Sequence, residues 1–518
     1  MNPDSYISVE DRHVDGGAEP RSRIRQRVEA WLIACFAAGV LVLLAGGFLP
    51  EQSLWVDETT QLSGLTLSPV EVLRWLAGEG RGRCGLPDDR MPPLSYWLGW
   101  CWAQVFGLTE YAMRWFGVFV SALAAVVVTR AAALVSDSRG ALLAGLIFAT
   151  SPNVVVSSVE IRAYPLFALV SAATFYALIK VCQAASNPAR RWLVLLGVCS
   201  VGSMYTHFFG LLQAIGAWCA VLWMGYRARA PLRRALLAAC AAGVASIGLV
   251  PLALASAEMS HLPDQPVAGL SALVRMLYRL VGHPALATSN VASGLAILGV
   301  AGLVVIGLRH AVSSPGVRAT CITIVVGLGL ASLAGFVVKG FNAFSPSYNS
   351  WVFTGLVVVC AWPMVLSGHV VQRVALGCAL MLISGQTYAA VMVQMHGEAF
   401  SHGAHRRVRA AIEELGGPDR VAVVHESDNI VGYFPLYFDF GDGLVQYAHR
   451  SDDRELVRIT RQGFGSPVML SSLSVSRLVF VQTRWESAGD VWRGVKGQPV
   501  SFAQSPLVEA LVNGLGYR

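Results

Sequence analysis

Charge is scarce in this 518-residue sequence. Only 14% of the residues are Asp, Glu, Lys or Arg, while 54% are hydrophobic and the mean hydropathy is +0.54. This composition excludes an ordinary soluble globular protein, in which about 25% of residues are charged. The sequence therefore predicts a polytopic α-helical membrane protein.

Several chemical signatures are also missing. The chain has no glycine-rich nucleotide loop, and its tail has no GxSxG motif and no paired CxxC. Most of the 10 cysteines, for example Cys35, Cys182 and Cys321, fall in apolar runs, where packing is their usual role. Cys84 and Cys101 lie in the long stretch after the first run, so a disulfide between them stays open. We expect no nucleotide cofactor and no nucleic-acid partner.

Long apolar runs dominate instead, and a membrane-spanning helix needs roughly 20 such residues. Residues 1–30 end with a basic cluster ahead of the first run, namely Arg21, Arg23, Arg25 and Arg27. This cluster predicts a cytoplasmic N-terminal segment followed by a retained signal anchor. The eleven predicted spans are 31–49, 115–133, 141–156, 164–182, 192–205, 208–223, 235–255, 291–308, 319–338, 351–366 and 374–395.

A twelfth apolar stretch, 92–107, is short and rich in tryptophan. If it crossed the membrane, the basic loops after the spans 164–182 and 208–223 would lie outside, against the positive-inside rule. We therefore interpret it as an interfacial juxtamembrane helix. The transmembrane domain then covers 31–396, with a first outer loop at 50–114.

The first outer loop contains a second surface helix. In "SPVEVLRWLAG", Ser68 is placed to cap the helix and Glu71 follows three residues later, which is the capping-box spacing. One face of this helix carries Val70, Leu73 and either Leu76 or Ala77. This pattern is expected for a helix lying on a membrane surface.

The tail 397–518 has a different character and is predicted to be a small extracytoplasmic α/β domain. "HRRVRAAIEELGG" indicates an amphipathic helix stopped by glycines, and "RVAVVHE" and "RLVFVQT" indicate buried strands. "SDDRELVRITRQG" is interpreted as a second helix, beginning at Ser451.

Asp57 and Glu58 are the first candidates for chemistry, because they directly follow the first span. A carboxylate near a low-dielectric boundary can act as a general base toward a hydroxyl, or can help to bind a divalent cation. The alternative is that the two acids only solvate the end of the span.

Glu160 and Arg162 are the second candidates, since ionisable groups at membrane depth are costly and tend to mark functional sites. An arginine there can bind phosphate in bidentate fashion, although a structural ion pair or lipid-facing arginine is the alternative. His207 lies at an outer junction between two spans, where an interfacial role is the alternative. Glu110 and Arg114 fit an anchor pair at a helix start.

Four motifs taken together resemble a known family. "LWVDE" after the first span, "PPLSYW" and "FGLTEYAMR" before the second, and "SPNVVVSSVEIRAYPL" before the fourth are similar to the GT-C membrane glycosyltransferases. The most similar branch uses polyprenyl-phosphate sugars and includes protein O-mannosyltransferases and lipid A aminoarabinose transferases. The resemblance covers roughly residues 31–226.

The resemblance implies an inverting transfer of a sugar from a polyprenyl-phosphate donor to a glycan, lipid or protein acceptor outside the plasma membrane. It makes Asp57 the general base and Glu58 its motif neighbour, with Glu160 and Arg162 near the donor phosphate. Asp57 and Glu160 are also the predicted ligands of a divalent cation, Mg or Mn, if the reaction uses one. The predicted site residues are Asp57, Glu58, Glu160, Arg162, Tyr164, His207 and Lys339.

Two positions depart from the family pattern. Met91 stands where a His is common, and Tyr348–Asn349 stand where relatives often place an Arg-Tyr pair. We then expect Lys339, Arg275 or Arg279 to neutralise the phosphate; the alternative is that these positive charges lie near anionic lipid headgroups. Two other classes also stay open, namely a transporter or flippase for a lipid-linked saccharide and a non-catalytic scaffold of the same fold.

Overall fold

The computed structural model describes residues 20–47, 49, 54, 56–79, 89, 91–184, 188–258, 270–282, 290–310, 314–337, 343–366, 368–395, 405–425, 436, 438–440, 443–449, 455–460, 463–469, 477–481 and 491–495. Cys84 and Lys339 lie outside these residues.

Helices make up most of the described chain. They are α1 Pro20–Gly46, α2 Val56–Leu65, α3 Pro69–Leu76, α4 Leu94–Phe106, α5 Glu110–Ala132, α6 Ser138–Ala149, α7 Pro152–Val159, α8 Tyr164–Gln183, α9 Arg190–Thr206, α10 Gly210–Arg227, α11 Arg233–Ser246, α12 Val250–Glu258, α13 Leu270–Gly282, α14 Asn290–His310, α15 Pro315–Val337, α16 Ser350–Ala361, α17 His369–Met395 and α18 His405–Glu414.

The predicted spans all coincide with helices or with pairs of successive helices. Within the described residues, six helices are long and apolar enough to cross a membrane, and a seventh is added if the bent pair α6–α7 counts as one span. Further apolar helices, Gly294–Leu308 and Ser350–Val365, are shorter. The chain is thus a multi-pass membrane protein, and the number eleven stays a prediction.

The bend between α6 and α7 brings polar residues toward the site. The two helices meet at 55°. Ser151 has extended backbone angles and Pro152 occupies the first position of α7, where a missing N–H costs nothing. The helix then ends at Val159, so Glu160, Ile161 and Arg162 form a short turn before α8.

Close helix contacts depend on small residues. A Cβ added to Gly117 on α5 would collide with the carbonyl oxygen of Ser158 on α7. Gly216 on α10 lies in the same way against the backbone of Thr323 on α15. In a membrane, helices associate through such close backbone packing, because burial of apolar surface from water gives no driving force between them.

The loop helices α2, α3 and α4 pack together beside the bundle. The capping box on α3 is confirmed, since Ser68 Oγ accepts from Glu71 N and Glu71 Oε2 accepts from Ser68 N. Val70 and Leu73 are exposed, as the surface-helix prediction requires. Of the two alternatives for the third position of this face, Ala77 is exposed, while Leu76 is buried with Val72 and Trp75.

The described part of the tail contains a six-stranded sheet in the order β4-β3-β2-β1-β5-β6. Its strands are β1 Ala422–His425, β2 Val445–His449, β3 Glu455–Thr460, β4 Gly463–Met469, β5 Arg477–Val481 and β6 Val491–Val495. The central strand β1 is parallel to both neighbours, and the outer pairs are antiparallel.

Three predictions for tail elements are confirmed and one is wrong. α18, β1 and β5 lie where the sequence placed a helix and two strands, and Val408 and Ile412 of α18 share a buried cluster with Val479 of β5. The helix predicted from Ser451 is instead strand β3, which pairs with β2 and β4. Cross-strand pairing on both sides overrides the weak helical pattern of this segment. An extracytoplasmic location of the tail stays a prediction.

We expect Gly117→Ala to destabilise the protein, because the new methyl group must displace the Ser158 backbone. Overpacking of this kind costs about 1–3 kcal/mol. Gly39→Ala on α1 is the matched control, since a Cβ there meets nothing within 4 Å. Thermal unfolding in detergent measures both variants, and equal midpoints for the two would contradict the close α5–α7 contact.

Candidate functional site

Asp57 and Glu58 both lie in the first turn of α2. Carboxylates are favoured there by the unsatisfied N–H groups and dipole of the helix N-terminus. Successive helical residues point about 100° apart. The two acids therefore face different surroundings, with Glu58 1% exposed and Asp57 41% exposed.

Glu58 is held by a buried arginine. Arg114 on α5 donates from Nη1 to Glu58 Oε1 at 2.7 Å and from Nη2 to Oε2 at 3.0 Å, while its own side chain is 0% exposed. Glu58 Oε1 also accepts from the backbone N–H of Ile161 at 3.0 Å. Both oxygens of Glu58 are thus engaged.

The remaining donors of Arg114 are also used. Nε and Nη2 donate to Glu110 Oε1 at 3.0 and 2.9 Å, and Nη1 donates to the carbonyl oxygen of Val159 at 2.6 Å. A guanidinium has five N–H groups, and these contacts account for all five. The fully satisfied cation joins α2, α5 and the α7–α8 turn.

Arg162 forms a second ionic cluster on the same turn. Nη1 donates to Asp89 Oδ2 at 3.0 Å and to the backbone oxygen of Asp57 at 3.1 Å, and Nη2 lies 3.5 Å from Asp57 Oδ2. Burial by itself would lower the pKa of Arg162, but the Asp89 and Asp57 carboxylates raise it well above its ordinary value. The buried Nε has no hydrogen-bond partner among the described residues.

Asp89 is fixed by a tyrosine as well as by Arg162. The Tyr96 hydroxyl on α4 donates to Asp89 Oδ2 at 2.5 Å. Burial and the neighbouring Asp89 charge raise the pKa of Tyr96 well above its ordinary value, so it remains a donor. The Tyr96–Asp89 pair therefore orients the guanidinium that faces Asp57.

Glu160 is a half-buried acid between the two clusters. Burial and the charge of Glu58 raise its pKa from 4.5 to about 8, and the opposing effect of Arg162 does not offset this. At neutral pH the carboxyl is therefore mostly protonated and can donate a hydrogen bond.

Aromatic rings surround His207, which lies between α9 and α10. Its ring stacks on Phe167 at a centroid distance of 5.0 Å and contacts Tyr164 and Tyr348 at 6.1 and 5.0 Å. Nδ1 accepts from the backbone N–H of Phe209 at 3.2 Å. Burial and the charge of Arg162 lower the pKa of His207 to about 3, so the imidazole is neutral.

Six of the seven predicted site residues belong to the described chain, and interactions link them. Asp57 contacts Arg162, Glu58 contacts the Glu160–Arg162 turn through Ile161, and the Tyr164 ring lies between Arg162 and His207. The substitutes proposed for phosphate binding, Arg275 and Arg279, are exposed on α13.

The family departures have structural roles in this chain. Met91 is buried in the apolar cluster that contains Tyr96. Asn349 is buried, with Nδ2 donating to the carbonyl oxygens of Ala343 and Ser345. Tyr348 packs on His207, so it reaches the site without supplying the positive charge of an arginine.

Sequence reasoning did not single out Asp89 or Tyr96, and it interpreted Arg114 only as an anchor. The Glu110–Arg114 pair does form, but the main partner of Arg114 is Glu58, 56 positions earlier. An available signal was the position of Arg114 one turn inside an apolar helix, where a charge requires a partner. The segment around Asp89 offers no comparable pattern.

A family profile and several solved structures are similar to this chain. The sequence profile described as dolichyl-phosphate-mannose-protein mannosyltransferase matches residues 90–254, less than half of the chain. No curated protein matched the sequence.

The solved structure of ArnT from Cupriavidus metallidurans bound to undecaprenyl phosphate is similar at 13% identity and a TM-score of 0.52, covering 79% of this chain and 85% of that chain. Its apo state gives 14% identity, a TM-score of 0.50, and coverage of 79% and 86%. The S. cerevisiae Pmt1-Pmt2 complex bound to the sugar donor is 18% identical over 45% of this chain and 32% of that chain, at a TM-score of only 0.32. The ArnT likeness shows the GT-C fold, and the resemblance seen in the sequence motifs is confirmed.

Arg114→Leu is expected to destabilise the protein by about 3–5 kcal/mol, because it leaves the buried Glu58 carboxylate without its cation. The stability of Arg114→Lys should lie between those of wild type and Arg114→Leu, since lysine keeps the charge but has three donors in place of five. Arg74→Leu, at an exposed arginine on α3, is the control. Chemical or thermal unfolding in detergent gives the comparison, and a loss for Arg114→Leu no larger than for Arg74→Leu would refute the role assigned to the ion pair.

Glu160→Gln should change how stability depends on pH. A pKa raised from 4.5 to about 8 means that the folded state holds the Glu160 proton more tightly than the unfolded state does. The stability that comes from this proton is complete below about pH 4.5 and is lost as pH rises through about 8. We expect the wild-type unfolding midpoint to fall relative to the Gln variant between about pH 5 and about pH 9. Glu79→Gln, at an exposed acid, is the control; parallel profiles for wild type and Glu160→Gln would contradict the assignment.

Proposed function

We propose that this chain, a multi-pass membrane protein with the GT-C fold, is a glycosyltransferase that moves a sugar from a polyprenyl-phosphate donor to an acceptor at the outer face of the plasma membrane. The observation that carries the proposal is the pairing of one accessible carboxylate, Asp57, with a buried cation, Arg162. The acceptor is a hydroxyl or amine of a glycan, lipid or protein. In the predicted topology the N-terminus is cytoplasmic and the tail extracytoplasmic.

Asp57 is assigned as the general base. Its side chain is 41% exposed, and among the described residues only one cationic group, the Arg162 guanidinium, lies within 4 Å of its carboxylate. A carboxylate oxygen therefore remains accessible to an incoming hydroxyl. As the acceptor oxygen attacks the anomeric carbon, Asp57 takes its proton and the bond from that carbon to the phosphate oxygen breaks. A single direct displacement inverts the anomeric configuration.

Arg162 is assigned to the departing phosphate. Negative charge persists on the polyprenyl phosphate as it leaves, and a preorganised cation in a water-poor site stabilises that charge strongly. The buried Nε, which donates to no residue in the described part of the chain, is a donor available to a phosphate oxygen. Glu160, mostly protonated at neutral pH, can donate to the same group without repelling it.

Glu58 is proposed as a positioning residue, which differs from its prediction as a member of the catalytic pair. Both of its oxygens already bind Arg114, and Oε1 also binds Ile161 N–H. Reaching a substrate would require breaking a buried ion pair. Its contribution is to fix the position of α2 relative to the Glu160–Arg162 turn.

A divalent cation, Mg or Mn, would supply additional positive charge to the phosphate if Asp57 and Glu160 held it. The described residues contain no group of three His, Cys, Asp or Glu side chains placed to hold an ion. Two carboxylates, one of them mostly protonated at neutral pH, fall well short of the roughly six oxygen ligands that Mg prefers. The residues present fit such an ion poorly, and no step is assigned to it.

Asp57→Asn should abolish transfer while leaving donor binding intact, because the amide cannot accept the proton. Loss of a general base slows a reaction by about 10²–10⁴-fold. The assay follows radiolabel from a panel of undecaprenyl-phosphate sugars in membranes containing wild type or variant. Glu79→Gln, at an exposed acid of the same loop, should retain wild-type transfer.

Two results would count against the proposal. Equal transfer by wild type and Asp57→Asn would show that Asp57 is not the base. Movement of a lipid-linked sugar across the membrane without a new glycosidic bond would favour the transporter interpretation.

A further inference from the structure

His207 carries a buried hydrogen-bond donor that has no partner. The side chain is 4% exposed, and Nε2 makes no hydrogen bond among the described residues. Because Nδ1 accepts from Phe209 N–H, a neutral imidazole must carry its proton on Nε2. A buried donor without an acceptor is unfavourable, so the arrangement suits a ligand that supplies one.

The walls around this donor are aromatic. Tyr164 and Phe167 come from the start of α8, Phe209 from the turn before α10, and Tyr348 from the turn before α16. We name Tyr164, Phe167, His207, Phe209 and Tyr348 the aromatic box. Three separate chain segments build it, so it depends on the tertiary structure.

The aromatic box adjoins the proposed phosphate-binding group. The Arg162 guanidinium lies 6.0 Å from the Tyr164 ring centroid, and Tyr164 in turn contacts the His207 ring. A ligand that begins at Arg162 and continues past Tyr164 would reach His207. Asp57, whose side chain is 41% exposed, remains accessible to an acceptor.

The donor has three parts, a phosphate, an isoprenoid chain and a sugar, and the aromatic box suits only one of them. Phosphate requires positive charge, which a neutral imidazole lacks. An isoprenoid chain has no acceptor for Nε2–H and would leave it unsatisfied. A sugar ring offers apolar C–H faces to aromatic rings and hydroxyl oxygens to an N–H donor.

We infer that the aromatic box binds the sugar ring of the donor, with His207 Nε2–H donating to one of its hydroxyl oxygens. This inference rests on the proposed function and extends it, because it assigns recognition of the sugar to His207 and recognition of the phosphate to Arg162. His207 then determines sugar specificity without taking part in proton transfer.

The test compares the affinities of full-length wild type and variants for bare undecaprenyl phosphate and for undecaprenyl phosphate carrying mannose, glucose or galactose. The sugar giving the largest gain over the bare carrier is then used for all variants. His207→Phe keeps the ring but removes the N–H, and His207→Gln keeps a donor. His369→Phe, at an exposed histidine on α17, is the matched control.

We expect His207→Phe to lower the gain in affinity from the sugar by about 5-fold to 10-fold, as for loss of one hydrogen bond, while affinity for the bare carrier stays unchanged. His207→Gln should retain part of the gain. Among monodeoxy donors, the one that lacks the contacted hydroxyl should bind weakly to wild type and suffer no further loss in His207→Phe. Should His207→Phe fail to fold, comparing the parent and monodeoxy donors in wild type and His207→Gln keeps the inference testable.

An equal loss of affinity for the bare and glycosylated carriers in His207→Phe would overturn the inference, since His207 would then support the phosphate site or the fold. An unchanged sugar gain in that variant, or wild-type indifference to every monodeoxy donor, would overturn it as well. Either outcome leaves the proposed function intact. A wild type that binds neither carrier would instead contradict the proposed function itself, and this inference with it.

Discussion

The buried Glu58–Arg114 ion pair is the constraint on which the site depends. It joins the first turn of α2, the second turn of α5 and the end of α7, which lie far apart in the sequence. A buried ion pair repays its desolvation only when the remaining donors are also satisfied. Here Glu110 and Val159 accept the remaining N–H groups of Arg114, and the backbone N–H of Ile161 donates to Glu58. Every donor of the guanidinium is therefore used, and both carboxylate oxygens accept hydrogen bonds.

The second ionic cluster, around Arg162, has fewer of its hydrogen-bonding groups satisfied than the Glu58–Arg114 pair. Arg162 shares Asp89 with Tyr96 and lies beside Asp57. No described residue accepts a hydrogen bond from its Nε, and the Asp57 side chain is partly exposed. Incomplete satisfaction is unfavourable in a folded protein and is most common where a ligand completes it. The adjacent carboxylates of α2 thus have distinct surroundings, and we propose that Glu58 holds the backbone while Asp57 faces the substrate.

Much of the fold followed from composition and periodicity. Apolar runs located the helices, including the short helix within 92–107, whose interfacial position stays a prediction, and the spacing of Ser68 and Glu71 predicted the capping box. The strand at Glu455–Thr460 was missed because its residues suit a helix locally, and pairing with β2 and β4 decided its conformation. Local pattern predicts an element well only where tertiary contacts do not oppose it.

The sequence by itself determined the class of protein, the order of its helices and the set of charged residues from which a site can be built, since these depend on local composition and spacing. Only the tertiary structure decided which partner each charge has. Arg114 reaches Glu58 across 56 positions, Arg162 reaches Asp89 across 73, and the aromatic box joins three segments. Contacts between side chains so far apart depend on how the helices pack, and helix packing is set by small residues such as Gly117 whose neighbours the sequence does not identify.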